Sequence, residues 1–211
     1  MTVYFLPGVG CDKRLFSRME LPGHEVKFLE WSPFPKGCTL EELAKTMRAD
    51  VDATQRHAIA GVSMGGMVAQ ELALMTKPEK VILISTWTRP KEWPWHVHLA
   101  DLLGLSWMIG SFTMRATWPL KHMLGRRPRD IDRLLWDMAT EQTAAKIRRG
   151  LEAVMHWKGS GWEGPTVRIH GDADHVIPIR FPVDHVIHGG EHIMILTRPK
   201  EVSSAILGSI Q

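Results

Sequence analysis

Apolar residues along this chain fall into short unbroken runs separated by polar turns, and the segments between several of those runs carry helical spacing instead. TVYFL (2 to 6) is a β-branched and aromatic run closed by Pro7-Gly8, which predicts a buried strand feeding a turn. EVKFLEW (25 to 31) predicts a second strand, ended by the SPFPKG loop. Thr39 followed three residues later by Glu42 forms a capping box, and Leu40, Leu43 and Met47 share one face, so a helix of three to four turns is expected from Thr39. HAIAGVS (57 to 63), MGGMVAQELALM (64 to 75) and KVILIS (80 to 85) then read strand, helix, strand. TVRIHG (166 to 171) and DHVIHGG (184 to 190) are two more strands, and PKEVSSAILGSI (199 to 210) is a closing helix. Short apolar strands alternating with helices imply an α/β fold, with about six mostly parallel strands in one sheet and helices on both faces.

The pattern changes between Ser85 and Gly164, where no strand-like run occurs and tryptophan, methionine and arginine become frequent. In DIDRLLWDMA (130 to 139), Ile131, Leu134, Leu135 and Met138 follow helical spacing behind Pro128, with Asp130 expected as the cap. A further helix is expected from about Thr143 to Trp157, stopped at Gly159. The expected organisation is a core of residues 1–86 and 163–211 with a helical insertion at 87–162.

Composition narrows the classes. Hydrophobic residues make up 44% and charged residues 23%, values of an ordinary globular domain, and 211 residues are enough for a well-buried core. The formal charge is only +3, which argues against a nucleic-acid partner. No apolar stretch reaches the ~18 residues of a membrane span, and MTVYFLPG lacks the basic start and apolar core of a signal peptide; neither a membrane partner nor export is expected, and the location expected is cytoplasmic. Cys11 and Cys38 lack metal-ligand spacing and read as packing residues.

The chemistry starts at GVSMGG (61 to 66). A serine hydroxyl is a poor nucleophile and must be raised clear of the backbone, next to a base and beside donors for an oxyanion. A sharp strand-to-helix turn does this, and side chains two positions before or after the serine would strike neighbouring backbone. Gly61, Ser63 and Gly65 have that spacing, with a strand before and a helix after. A phosphate-binding loop is excluded because Met67 stands where lysine is needed after Gly66, and a dinucleotide motif because Lys13 replaces its third glycine. Of eleven histidines, His192 alone follows the last strand on a loop made pliable by Gly189-Gly190, which nominates it as base. The carboxylate that orients it should follow the preceding strand, where Asp174 is the choice and Asp172 the alternative. The amides of Met64 and Val9, the latter in the glycine-rich loop after the first strand, are the expected oxyanion donors. In the HVH pair, His96 and His98 would point to different faces of a helix, so no metal site is expected.

Pro7-Gly8-Val9-Gly10-Cys11-Asp12 matches a PGxGxD oxyanion loop. His170, Gly171, Asp174 and Pro178 match HGxxDxxxP, and Gly189, Gly190, His192 and Met194 match GGxHxM. With the GxSxG elbow, these motifs make the chain resemble the α/β-hydrolase family over nearly its whole length. The resemblance implies an α/β-hydrolase fold with an inserted helical cap, and a serine hydrolase, usually an esterase, that works without a cofactor. The first two strands of larger relatives are missing here. Alternatives within the same fold are a catalytically silent ligand-binding protein and an acyltransferase or lyase using the same three residues.

The insertion reads as the substrate filter. Residues 87 to 162 hold eight of the nine tryptophans, and 12 Lys+Arg against 7 Asp+Glu, an excess of +5 that leaves the rest of the chain at −2. Trp107, Trp118 and Trp136 suggest an apolar pocket for a small-molecule ester. Arg126, Arg127 and Arg129 could draw in an anionic substrate or an acidic carrier protein.

Overall fold

In the computed structural model, which describes residues 1–31, 33–93 and 128–210, six parallel strands form one sheet. They are β1 (Thr2–Leu6), β2 (Glu25–Phe28), β3 (His57–Val62), β4 (Lys80–Ile84), β5 (Thr166–Gly171) and β6 (His185–Ile187), in the order β2-β1-β3-β4-β5-β6. The described α-helices are α1 (Leu40–Met47), α2 (Met64–Thr76), α3 (Arg129–Glu141), α4 (Ala144–Met155), α5 (Met194–Thr197) and α6 (Pro199–Ser209).

Alternation along the strands divides the interior into two cores. Tyr4 and Leu6 of β1, Ile59 of β3 and Val81 and Leu83 of β4 point to the side covered by α1 and α2. Val3, Phe5, Ala58, Ala60, Ile82 and Ile84 point to the opposite side, where Val202 and Ile206 of α6 and Met194 of α5 close over them. Both faces of the central strands are therefore dry, which is why these segments are unbroken apolar runs. The edge strand β2 differs. All four of its residues are exposed, and Phe28 is held by stacking on Phe16 with ring centres 5.7 Å apart.

α3 and α4 stand between β4 and β5 in the chain and rest on different cores. Ile131 and Met138 of α3 belong to the α6 side, while Ala153 and Val154 of α4, followed by Trp157, belong to the α2 side. Polar contacts tie each helix down. Arg14 bridges Asp12 and Glu141 at 2.6 Å each, and Arg18 pairs with Asp130. From α4, Arg149 donates to the Phe34 carbonyl at 2.6 Å, and just beyond it the Trp157 indole donates at 2.7 Å to Glu71, whose carboxyl burial holds above its ordinary range. A buried ion pair, Arg168 with Glu92 at 2.9 Å, joins β5 to the segment after β4.

Several expectations are corrected in detail. The Thr39–Glu42 capping box forms, but α1 has eight residues rather than three to four turns, because the chain tightens into a 3-10 turn at Arg48–Asp50. Asp130 is not a cap: α3 begins at Arg129 behind Pro128 with no side-chain cap, and the Asp130 carboxylate turns to Arg18 instead. α4 ends at Met155, two residues short of Trp157, and is capped by Thr143. Trp107, Trp118, Arg126, Arg127, His96 and His98 lie outside the described residues.

Candidate active site

Because every strand runs the same way, the loops that follow them share one edge of the sheet, where open α/β sheets hold their sites. Ser63 lies there between β3 and α2, with φ 54° and ψ −124°, a left-handed conformation that a non-glycine residue adopts only when its surroundings impose it. The surroundings are tight. A Cβ on Gly61 would lie 2.2 Å from the Gly65 carbonyl oxygen, and one on Gly65 would lie 2.3 Å from the Leu6 oxygen. A Cβ on Gly66 would strike Thr86 Cγ2 at 2.4 Å. The serine backbone is tied on both sides, its amide to the Ile84 carbonyl at 3.0 Å and its carbonyl to Thr86 Oγ1 at 2.6 Å.

The loop after β1 passes directly beside this turn. A Cβ on Gly8 would sit 3.4 Å from Ser63 Cβ and 3.9 Å from its Oγ. The Gly8 carbonyl accepts from the Cys11 amide and the Trp31 indole, which fixes the Val9–Gly10 bend between them. Val9 and Met64, the two residues expected to supply oxyanion amides, line one narrow cleft with Trp31, Phe34, Lys146 and Ile147. Met64 is the first residue of α2, so its amide belongs to the positive end of that helix. Burial and the adjacent Asp12 carboxylate push the Cys11 thiol up to about 12, which leaves it protonated and a poor nucleophile.

At the other end of the edge, Asp174 and His192 are joined. Asp174 Oδ2 lies 2.9 Å from His192 Nδ1, with the carboxylate wholly buried and the imidazole 18% exposed. Oδ1 accepts from the amides of Val176 and Ile177 at 2.9 and 2.8 Å. Burial alone would raise this carboxyl, but hydrogen bonds from His170, His192 and the Ile177 amide outweigh it and hold the group well below the usual carboxylate range. The loop that carries His192 is pinned close by, since a Cβ on Gly171 would lie 2.0 Å from the Gly190 oxygen. Asp172 pairs with a different histidine, His188, also at 2.9 Å, but 43% and 89% of those side chains face solvent.

Asp174 and His192 are thus in contact, and Val9 and Met64 share a cleft. Ser63 lies on the same edge, and among the described residues it makes no hydrogen bond to His192. Three contributors escaped the sequence reading. Thr86 anchors the Ser63 carbonyl, Trp31 anchors the Gly8–Gly10 loop, and α4 presses Gly150 within 3.5 Å of Met64 Sδ, measured from the position of an added Cβ. Thr86 carried a usable signal in following β4 at the same sheet edge; the other two rest on distant contacts. No group of three or more His, Cys, Asp or Glu side chains suited to a metal ion occurs among the described residues. Nor is any described helix long and apolar enough to cross a membrane.

Comparison with known proteins agrees with this architecture. The model of the alpha/beta hydrolase family matches residues 5–205. Among solved structures, MenH from S. aureus superposes with a TM-score of 0.78 at 17% identity, covering 100% of this chain and 93% of that one. A thermophilic esterase from Thermogutta terrifontis gives 0.73 at 18% identity over 98% of this chain and 88% of its own. The esterase EaEST from Exiguobacterium antarcticum gives 0.73 at 14% identity, covering 100% and 91%. At such identities the likeness is one of fold. No curated protein sequence matches the chain.

Proposed function

The chain belongs to the alpha/beta hydrolase family, and from that premise we propose that it is a serine hydrolase of the carboxylesterase type, cleaving small or medium apolar esters through an acyl-enzyme on Ser63. The observation that carries the reading is the pairing of His192 with the buried Asp174 carboxylate on the same sheet edge as a serine held at φ 54°.

In the proposed reaction Ser63 Oγ attacks the ester carbonyl carbon as His192 Nε2 takes its proton. The carbonyl oxygen becomes an oxyanion held by the amides of Val9 and Met64. Collapse of this intermediate breaks the bond to the alcohol oxygen, which leaves with the proton from His192. Water then adds to the acyl carbon and gives its proton to the imidazole, which returns it to Ser63 as the acid departs. Asp174 keeps its negative charge throughout, fixes the Nδ1–H tautomer and stabilises the imidazolium. The apolar walls that Trp31, Phe34 and Ile147 give the narrow cleft beside Val9 and Met64, which Gln142 and Lys146 also line, support an apolar acyl group.

The test is Ser63→Ala, assayed on a p-nitrophenyl ester, with fluorophosphonate labelling of the unaltered chain. Loss of turnover in a folded variant and labelling of the parent at Ser63 are expected. Wild-type rates in Ser63→Ala would refute the assignment, and an unlabelled parent would indicate a silent ligand-binding protein.

A further inference from the structure

β5 ends in His170-Gly171, and the His170 side chain is 3% exposed. Its Nε2 lies 2.7 Å from the Ile177 carbonyl oxygen and 3.4 Å from Asp174 Oδ2. A carbonyl and an ionised carboxylate can only accept, so Nε2 carries the proton and the tautomer is fixed. The N–H is given to the carbonyl, and it also sits 3.4 Å from the carboxylate oxygen that faces His192 Nδ1 at 2.9 Å, close enough for its positive end to act on that oxygen's charge. The turn from Asp174 to Ile177 is consequently held from both sides. Asp174 Oδ1 binds its amides from within, and the His170 imidazole binds its last carbonyl from the core.

We propose that His170 is a positioning residue for the base: it locks the turn that orients Asp174 and, by its nearness to Oδ2, withdraws charge from the oxygen that faces His192. This rests on the roles given above to Asp174 and His192. Of the charged groups nearby, Asp172 bonds His188, and Arg198, which lies against the Gly189 turn, pairs with Glu201. The sign follows. Removing the donor leaves Oδ2 more negative, which favours the imidazolium, so the protonated form of His192 persists to higher pH.

Two substitutions distinguish this role from a purely structural clamp. Glutamine carries an amide N–H close to the position of the imidazole Nε2, whereas asparagine falls one bond short. In His170→Asn the His192 imidazole, followed by NMR, is expected to titrate about half a pH unit higher than in the parent chain. The acid limb of kcat/KM should move with it, and kcat should fall with KM little changed. His170→Gln should stay with the parent. An unmoved titration in folded His170→Asn, or equal displacement in both variants, overturns the proposal. The unaltered protein supplies a check that needs neither a variant nor a substrate, because nitrogen-15 shifts must report His170 as the Nε2–H tautomer. An Nδ1–H tautomer overturns the positioning role even if Ser63 takes up fluorophosphonate. Failure of Ser63 to react refutes the esterase reading alone and leaves these NMR results standing.

Discussion

Replacing Gly65 by alanine tests the elbow most directly, because the added methyl meets only backbone. Its Cβ would lie 2.3 Å from the Leu6 oxygen and 2.5 Å from the Pro7 oxygen, where no side-chain rotation can make room. Reaching an ordinary contact requires α2 and the end of β1 to part by roughly 1 Å. Overpacking of this kind costs ~1–3 kcal/mol, and rigid neighbours put Gly65→Ala at the upper end. For a domain of this size that corresponds to a melting temperature lower by about 6–12 °C. The same displacement moves the Val9 loop relative to the Met64 amide, and loss of one oxyanion donor costs about 10²-fold or more in kcat. Gly150→Ala is the control. Its Cβ would lie 3.5 Å from Met64 Sδ and 3.6 Å from Val9 Cγ2, both ordinary contacts, and alanine is favoured over glycine inside a helix by ~0.5–1 kcal/mol. Calorimetric melts and p-nitrophenyl ester turnover on both variants give the answer. If Gly65→Ala melts with the parent and keeps its kcat, the argument from backbone crowding is wrong.

Asp174→Asn should lower kcat by about 10⁴ by disturbing the imidazole tautomer while the fold persists, which steady-state kinetics with circular dichroism will show. Because the folded-state carboxyl of Asp174 lies below its unfolded value, its stabilisation is complete above about pH 4 and is lost as pH falls towards the folded-state value. Urea midpoints measured from pH 6 down to pH 3 should therefore fall more steeply for the parent than for Asp174→Asn; parallel slopes would contradict this. Glu92→Ala strands the Arg168 guanidinium, only 15% exposed, and should cost about 3–5 kcal/mol in urea denaturation; a loss below ~1 kcal/mol would show that water replaces the lost partner.

The strands were legible because a sheet dry on both faces needs unbroken apolar runs such as AIAGV and VILI, and the elbow because its Gly-x-Ser-x-Gly spacing is itself the signal, although only the Gly61 contact is local while Gly65 is demanded by the Leu6 and Pro7 carbonyls and Gly66 by Thr86. The HGxxDxxxP motif fits Asp174 and not Asp172. The difference between the two Asp–His pairs, one enclosed and one open to solvent, depends on packing that arises only when the β5 and β6 loops meet. Asp130 was misjudged for a similar reason, since a carboxylate near a helix start suits a cap unless an arginine 112 positions earlier competes for it. His170 matched a motif, yet its bond to Ile177 belongs to a turn whose shape no residue type announces. Trp31 and Arg149 act through backbone carbonyls, which leave no trace in sequence.

The footing of α3 on one core and α4 on the other has a mechanical consequence. With only Gln142 and Thr143 between them, the pair forms an arch with each pier set on a different side of the sheet, Arg14 bracing one and Glu71 gripping the indole just past the other. A trapdoor hinged on one side swings open at little cost; a span fixed at both ends can only bow. Changes beneath either pier, even far from Ser63, would then retune the same gap above Val9 and Met64.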